Sequence, residues 1–283
     1  MQKLFSLFTI IALCSITLTA QVRTFTLETG STFTVNVDQS QEISQIIMGN
    51  PSTITTSNQT AEQIDVLSKA DGIYTLKVTT LSQKTEVQSP MMNMTMDSED
   101  PESDNGLYAA IKGTSYTFTM SESGEIIEVM GLDDLIEMVS SKVESNPQMQ
   151  AQINGTFNEE VIRTGLRQRF SFYSGDDASE WTRNEDSNMN NMPVEITTTY
   201  SYADDTTIEA NSDINIEATT VQMGTNVDLK LEGTQKATYN LDATTGLPTS
   251  FESVNDISGN ASAQGMQIPM TIRTTTNTTF TTN

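Results

Sequence analysis

The sequence predicts an α+β fold in which a long, curved, half-barrel-like antiparallel sheet wraps a small central helical layer. Three observations lead to this prediction. Alternation typical of strands recurs along most of the chain, turn signals containing glycine separate the alternating segments, and helix-type spacing is confined to the middle. Because a sheet must bury its apolar face against another layer, we expect the central helices to cover that face.

Apolar and polar residues alternate with a period of two in eight segments of the chain. Successive side chains of a strand point to opposite faces, so each segment has one apolar face and one face of Thr, Asn or charged residues. This pattern is typical of an antiparallel sheet with one solvated face. The eight segments are Phe33–Val37, Tyr74–Val78, Tyr116–Met120, Val194–Tyr202, Ile208–Ile216, Val227–Leu231, Tyr239–Leu241 and Met266–Ile272.

A proline and four turn signals add detail to the sheet. Pro269 lies on the polar face of the last segment and lacks the N–H that a central strand needs, so it predicts an edge strand. Short glycine-containing sequences between the segments predict tight turns. These turn sequences are Thr29–Ser31, Ala70–Gly72, Glu122–Gly124 and Thr244–Gly246.

Helix-type spacing occurs twice, near residues 132–146 and 156–170. In the first stretch, Leu135 and Val139 lie on one apolar stripe, and two aspartates fall in the first turn, where carboxylates complement the helix dipole. The second stretch is predicted to begin at Thr156, with a glutamate three residues later completing a capping box.

Residues 1–20 are predicted to be a cleaved signal peptide. Lys3 supplies a positive start, an apolar stretch interrupted only by Ser and Thr follows, and a small residue stands at a suitable cleavage site. The stretch is too short for a transmembrane segment. Cys14 faintly suggests a lipobox, but bulky Leu13 stands where a small residue is expected, so we expect no lipid anchor. The sequence therefore predicts export to the periplasm or the extracellular space and a single β-rich domain over residues 21–283.

The charge balance excludes some partners. The chain has 14 basic and 37 acidic side chains and a net charge of −23; loss of Lys3 with the signal peptide would leave 13 basic side chains and a net charge of −24. Such a surface repels nucleic acid and anionic lipid head groups, because its long-range field has the wrong sign for both. We therefore expect no nucleic-acid partner.

The chain contains no histidine, and its only cysteine is Cys14, inside the predicted signal peptide. The mature chain therefore has no histidine-based triad, no cysteine nucleophile, no usual zinc site and no disulfide. Glycoside hydrolysis needs only two carboxylates, but the spacing singles out no pair. Neither a phosphate-binding loop nor a dinucleotide fingerprint is present. We expect a protein that is not an enzyme and has no cofactor.

Ile111–Met120 followed by Ser123–Ile126, an amphipathic helix, and then Gly175–Asp176 with Trp181 resembles an uncharacterised family of exported Bacteroidota-type proteins, a domain of unknown function. The resemblance covers most of residues 22 to 283 with loose motifs, and the spacing between the glycine and the tryptophan is wider here. It implies no catalytic residues. The family's layout of a sheet around helices is similar to that of periplasmic lipoprotein carriers, which hold acyl chains between sheet and helices. That layout implies a hydrophobic ligand only at the level of the fold.

A methionine-rich stretch provides the candidate ligand-binding residues. Met91, Met92, Met94 and Met96 fall within six residues, and thioethers pack adaptably against irregular apolar surfaces. Three interpretations stay open: a flexible loop that covers the edge of the core, the lid of a hydrophobic pocket, and a Cu(I) site, because soft thioethers select Cu(I). The pocket interpretation places the ligand between sheet and helices, against Leu135 and Val139.

Two charged clusters are predicted to be ordinary surface. The acidic run from Asp97 to Gly106 fails as an EF-hand, because its glycine falls one place late and Ile111 stands where the closing acid belongs, so we assign no metal site. Arg163, Arg167 and Arg169 form the only basic cluster, and we expect them to pair with nearby acids.

Two classes of function remain. The first is an exported non-enzymatic protein that binds a hydrophobic or lipid-like small molecule between sheet and helices. The second is a structural or adhesive envelope protein whose apolar interior is a fully packed core. The oligomeric state is not indicated by the sequence.

Overall fold

One continuous antiparallel sheet dominates the computed structural model, which describes residues 23–47, 49–90, 93–100, 102, 107–143, 147–189, 192–222, 225–263 and 266–282. The described residues form twelve strands and four helices, and every strand pairing is antiparallel. The predicted fold class is confirmed. The signal peptide and Cys14 lie outside the described residues. Among the described helices, none is both long enough and apolar enough to cross a membrane.

The strands reach far beyond the predicted segments. They are β1 Thr32–Ile47, β2 Asn50–Ala70, β3 Ile73–Gln88, β4 Asn93–Asp97, β5 Ser115–Ser121, β6 Ile126–Met130, β7 Glu180–Met189, β8 Met192–Tyr202, β9 Thr207–Gln222, β10 Thr225–Leu241, β11 Pro248–Ala263 and β12 Met266–Thr282. The helices are α1 Leu107–Ile111, α2 Leu132–Lys142, α3 Pro147–Thr156 and α4 Glu159–Phe170.

The first and last strands, β1 and β12, lie side by side in the middle of the sheet. The strand order is β6-β5-β3-β2-β1-β12-β11-β10-β9-β8-β7, with β4 paired to β3 beside this path. The first strands run outward from β1 to one edge, α2, α3 and α4 lead to the other edge, and β7 to β12 run back to the centre. The pairing of β1 with β12, which we call the seam, joins the two halves.

The sheet curves strongly, as the contacts of one helix with both of its edges show. The strand path has ten spacings of ~4.8 Å, so its two edges would lie ~48 Å apart if the sheet were flat. α4 has 12 residues and is therefore only ~18 Å long. It nevertheless contacts both edge strands, β6 and β7. The sheet is the predicted half-barrel, and α4 bridges its mouth at one end.

The main core lies at the end of the sheet where β1 begins and β12 ends, which we call the core end. We call the opposite end the far end and the face that carries buried Phe33 the helix-side face. Phe170, at the end of α4, is fully buried between rings from both halves of the sheet. Its ring centroid lies 5.7 Å from that of Phe118 on β5 and 6.3 Å from that of Phe280 on β12. The core therefore ties the two halves together.

The remaining helices form a second, smaller core. Leu135 and Val139 of α2 are packed with residues of α1 and with Ile153 and Phe157. Tyr108 of α1 joins this core to β3 through a 2.9 Å hydrogen bond to the Thr85 hydroxyl. The helical layer therefore covers the β3 side of the helix-side face.

The first predicted helix is confirmed, but it ends at Lys142, and a third helix, α3, follows it. The predicted capping box at Thr156 is wrong. Thr156 is the last residue of α3, and α4 begins only after Asn158, whose side chain accepts a 2.9 Å hydrogen bond from the Glu160 N–H. The N-cap is therefore an Asx residue two positions later than predicted.

Pro269 was predicted to mark an edge strand, and this prediction is wrong for β12, which lies between β1 and β11. The pairing with β1 ends at Met270, opposite Gln45, so Pro269 has only Asn260 of β11 as a neighbour. The proline lies in the part of β12 that extends beyond the end of its pairing with β1. There it removes no hydrogen bond to β1.

Candidate functional site

A row of isoleucines crosses the far half of the helix-side face. Neighbouring residues in the strand register all belong to the same face, so the pairing of seven adjacent strands defines the row. Six of its seven positions are isoleucine and one is glycine. From β8 to β2 the row consists of Ile196, Ile214, Gly233, Ile257, Ile272, Ile43 and Ile54.

The glycine in this row allows β10 and β11 to approach closely. A Cβ atom on Gly233 would lie 2.4 Å from the Asp256 carbonyl oxygen and 2.7 Å from the Ile257 Cγ1 atom. One row further, a Cβ atom on Gly259 would lie 2.1 Å from the Lys230 carbonyl oxygen. Neither position has room for a side chain. The two glycines therefore leave space that the neighbouring aliphatic side chains occupy.

Two further apolar rows continue from the isoleucines toward the far end. Together with the isoleucine row they form a surface that we call the aliphatic patch. Its footprint on the sheet, five strands by three rows, is ~24 Å wide and ~20 Å long. The added residues are Val194, Ile216, Leu231 and Met270 in one row, and Ala218, Leu229, Ala261 and Ile268 in the next.

The aliphatic patch is separate from both cores. Val194, Ile214, Leu231 and Ala261 are buried, yet none of them belongs to either core cluster. The other members of the patch are partly exposed. The main contacts of the described helices are with β3 to β7. Half of the concave face therefore lies beyond the helical layer.

Charge is excluded from this half of the helix-side face. In β1 and in β8 to β12, every charged residue occupies an outer-face position, because the alternation of each strand places it there. The nearest charged residues on the helix-side face are Arg183 and Glu185 of the edge strand β7. The outer-face charges are Asp38, Glu42, Glu195, Glu209, Asp213, Glu217, Asp228, Lys230, Glu232, Lys236, Glu252, Asp256 and Arg273.

A row of uncharged polar residues separates the aliphatic patch from the main core. We call this row the polar belt; it consists of Thr198, Ser212, Gln235, Asn255, Thr274, Gln41 and Thr56. Its hydrogen bonds run across the strands: the Thr198 and Ser212 hydroxyls are 2.8 Å apart, and Gln41 Nε2 donates to the Thr274 hydroxyl at 3.2 Å. The belt is one step of two residues, ~7 Å, from the isoleucine row.

One atom of the polar belt has no hydrogen-bond partner in the described part of the chain. Asn255 Oδ1 is buried and has no hydrogen-bond donor among the described residues. A buried unpaired acceptor costs free energy, typically ~1–3 kcal/mol, so such an atom is rare in a folded protein. Asn255 lies next to Ile257 on the same face of β11. The unpaired acceptor therefore adjoins the aliphatic patch.

The aromatic side of the polar belt is neutral as well. Burial, and after it the nearby Glu185 carboxylate, raises the pKa of Tyr200 to about 12. Burial also raises the pKa of Tyr239, whose hydroxyl donates to the Gln168 carbonyl oxygen at 3.1 Å. Both phenols therefore remain protonated at physiological pH. Trp181 stacks on Tyr200 with ring centroids 5.5 Å apart.

The predicted ligand-binding residues are divided between several places. Met91 and Met92 lie outside the described residues. Met94 and Met96 point to the helix-side face of β4, where Met96 packs against the second core and Met94 is 37 % exposed. Leu135 and Val139 lie inside that core and are 2 % and 0 % exposed. Contact of any of these residues with a ligand stays a prediction, and the Cu(I) interpretation of the methionines stays untested.

The basic cluster is engaged in ion pairs, as the sequence predicted. Arg163 contacts Glu159 at 2.7 Å, and Arg169 pairs with Glu62 on the helix-side face of β2. Arg167 lies 3.7 Å from Glu160. These guanidinium groups are therefore not available as an open anion site. No cluster of acidic residues suited to a metal ion occurs in the described part of the chain.

Sequence reasoning found seven of the twelve described strands but missed the aliphatic patch. Its only signal is isoleucine at inward positions of several separate strands. The row becomes visible once the register of pairing is known, because members such as Ile43 and Ile272 are far apart in sequence. Register is set by the whole sheet rather than by any one segment.

The sequence of this chain matches a family of proteins whose function is unknown. Residues 71–248 match the model of the family of unknown function DUF6263, and the chain belongs to that family. The predicted membership of a domain-of-unknown-function family is confirmed at this level. No curated protein matches the chain in sequence.

Among solved structures, the chain is similar in fold to lipovitellin, whose structure describes lipid–protein interactions in that protein. The TM-score is 0.52 at 10 % identity, and the similarity covers 90 % of this chain and 25 % of lipovitellin. The chain thus spans a quarter of lipovitellin's length, and at this identity the likeness shows the fold alone. The translocator domain of the autotransporter NalP from Neisseria meningitidis has a TM-score of 0.24 at 8 % identity, with 89 % of each chain covered. A TM-score this low does not indicate a shared fold.

Proposed function

We propose that this chain is an exported, non-enzymatic protein that binds a lipid-like molecule on the aliphatic patch. The observation that carries the proposal is an uncharged, half-exposed aliphatic surface on the concave face, outside both cores. Apolar area removed from water contributes ~25 cal/mol per Å², so covering part of this surface with an acyl chain is favourable. The likeness of the sheet to that of lipovitellin supports a lipid-like ligand at the level of the fold.

This proposal moves the ligand relative to the expectation from sequence. Leu135 and Val139 fill the space under the helices, whereas the far half of the helix-side face of β8 to β12 lies beyond the helices. The Met94 and Met96 side chains flank the same concave face at the β4 side. Export rests on residues 1–20, and the absence of histidine and of any cysteine in the mature chain supports a binding role over catalysis.

The proposal is tested with the mature chain, residues 21–283, and the neutral apolar dye Nile red. A double variant, Ile257→Thr with Ile272→Thr, keeps β-branched side chains but removes apolar surface from the isoleucine row. We expect Nile red affinity to fall about tenfold, since each lost methylene-sized group contributes ~0.8 kcal/mol. Val254→Thr makes the same kind of change on the outer face of β11 and is expected to leave the affinity unchanged.

Native mass spectrometry of the purified chain provides a second measurement. A co-purifying lipid supports the proposal. If no lipid co-purifies and Nile red does not bind, the structural or envelope role replaces it. A dimer that dissociates in the double variant would instead identify the patch as a self-association surface, and would also overturn the proposal.

A further inference from the structure

We infer that the ligand is a neutral amphiphile with a hydroxyl-bearing head group, held with its tail on the aliphatic patch and its head at the polar belt. This inference rests on the proposed function and specifies the class of ligand. It follows from three features: the composition of the polar belt, the unpaired Asn255 acceptor, and the absence of charged residues from the helix-side face of β1 and of β8 to β12.

The polar belt offers hydroxyl and amide groups only. A ligand hydroxyl can donate to an amide oxygen and accept from a neighbouring hydroxyl, so it can replace the water that these groups would otherwise bind. The spacing suits an amphiphile, because the belt lies ~7 Å from the isoleucine row and the apolar rows continue for ~20 Å along the strands. The head group therefore lies at the polar belt while the extended acyl chain follows the apolar rows.

Asn255 Oδ1 requires a donor rather than another acceptor. It is buried without a donor among the described residues. A hydroxyl or a protonated carboxylic acid can donate a hydrogen bond to it, whereas a carboxylate or a phosphodiester has only acceptor oxygens. Binding of a donor head group relieves the cost of the unpaired acceptor, and binding of an anion increases it.

Among the described residues, no unpaired cation on the helix-side face adjoins the aliphatic patch to bind an anionic head group. The one arginine on the adjoining helix-side face, Arg183, donates to the Ser171 carbonyl oxygen at 2.6 Å and to the Tyr173 carbonyl oxygen. Next to it on β7, the Glu185 carboxylate lies opposite Ile196 at the border of the patch. An anion on this face would be desolvated without a partner and repelled by a carboxylate. The face therefore selects against fatty-acid anions and phospholipids.

The experiment compares head groups at constant tail length. Monopalmitoylglycerol and palmitate are titrated against Nile red bound to the mature chain at pH 8. We expect the monoacylglycerol to displace the dye at a concentration at least tenfold lower than palmitate. Palmitate is expected to become more effective as the pH falls and its carboxyl group is protonated. Equal displacement by both amphiphiles, or stronger displacement by palmitate, would overturn the inference while leaving the proposed function intact.

A variant isolates the role of the polar belt. Asn255→Leu removes the acceptor but keeps the strand and the patch, so Nile red should still bind while the preference for monopalmitoylglycerol falls at least threefold. Asn260→Leu makes the same change on the outer face of β11 and is expected to keep the preference. If Asn255→Leu keeps the full preference, the belt does not bind the head group. Failure of the unsubstituted chain to bind Nile red contradicts the proposed function itself.

Discussion

At the scale of single residues, a few hydrogen-bonded side chains hold the segment before β1 onto the core end of the sheet. The Tyr74 hydroxyl donates to the Phe25 carbonyl oxygen at 3.0 Å and accepts from the Leu27 N–H at 3.2 Å. On the other half of the sheet, the Thr26 N–H donates to the Thr245 carbonyl oxygen at 2.7 Å. The turn that presents Thr245 is built around Asp242. One segment is thus fixed to both halves of the sheet.

Asp242 is expected to make stability depend on pH. Its carboxylate accepts the Thr245 N–H at 2.7 Å and the Thr245 hydroxyl at 2.9 Å, and these hydrogen bonds, the backbone one first, lower its pKa. A carboxyl group whose pKa is lowered by folding stabilises the protein above its unfolded pKa of ~3.9, and this contribution is lost as the pH falls through the folded pKa. Because the turn is largely open to solvent and Asn keeps one acceptor oxygen, Asp242→Asn should reduce the free energy of unfolding at pH 7 by only roughly 0.5 kcal/mol. The difference from the unsubstituted chain should shrink toward pH 3.

Urea unfolding at pH 7, 5 and 3 measures this difference. Asp213→Asn, on the exposed outer face of β9, changes the same functional group without this turn and provides the control. A difference between Asp242→Asn and the unsubstituted chain that stays constant from pH 7 to pH 3 would contradict the role of the carboxylate.

At the scale of elements, the strands with inward apolar residues were predictable and several others were not. The β2 strand gave no alternation signal because its inward positions include Thr56, Asn58 and Glu62. Polar residues at inward positions therefore conceal this strand in the sequence. The α3 helix was missed because its sequence has almost no apolar stripe, and α1 has only five residues. The helix at α2 was predictable because Leu135 and Val139 face its core at helical spacing.

The N-cap of α4 provides a test at this scale. Asn158 accepts from the Glu160 N–H, which would otherwise lack a partner in the first turn. Replacing Asn158 by Ala should reduce the free energy of unfolding by about 1 kcal/mol, whereas Asp at this position keeps an acceptor and should restore most of it. Thermal unfolding followed by circular dichroism measures both variants. Equal loss of stability in Ala and Asp variants would show that the cap hydrogen bond is not the cause.

At the scale of the whole molecule, the two halves of the sheet share one aromatic core. Phe170 contacts rings on β5 and β12, and Arg183 of β7 donates to the segment that follows α4. Sequence alternation predicted a curved sheet around helices, but it could not show that β1 and β12 are neighbours. Pairings between distant strands depend on the complete fold, whereas each strand's alternation is local.

The two halves are therefore expected to unfold together. Trp181, the only tryptophan, lies on the edge strand β7, so its fluorescence reports the second half, while far-ultraviolet circular dichroism reports the whole sheet. Both signals should change at the same urea concentration. Phe170→Ala should lower both midpoints, because the cavity it leaves in the shared core reduces the free energy of unfolding by ~3–5 kcal/mol.

Val161→Ala, on the exposed side of α4, is the matched control and should change the free energy of unfolding by less than ~0.5 kcal/mol. Loss of the Trp181 signal at a lower urea concentration than the circular dichroism signal would show that the halves are independent.

Because β1 is synthesised long before β12, the seam between these two strands forms late. Phe33 pairs with Thr282, so β1 is synthesised and ready to pair with β2 long before its second partner exists. During that interval one edge of β1 is open, and an open strand edge is a template for pairing with another chain. Asp38 and Glu42 are carried on this strand, and charged residues discourage such pairing. In the finished sheet they are outer-face carboxylates; on the nascent chain we expect them to discourage pairing at an edge that β12 later covers.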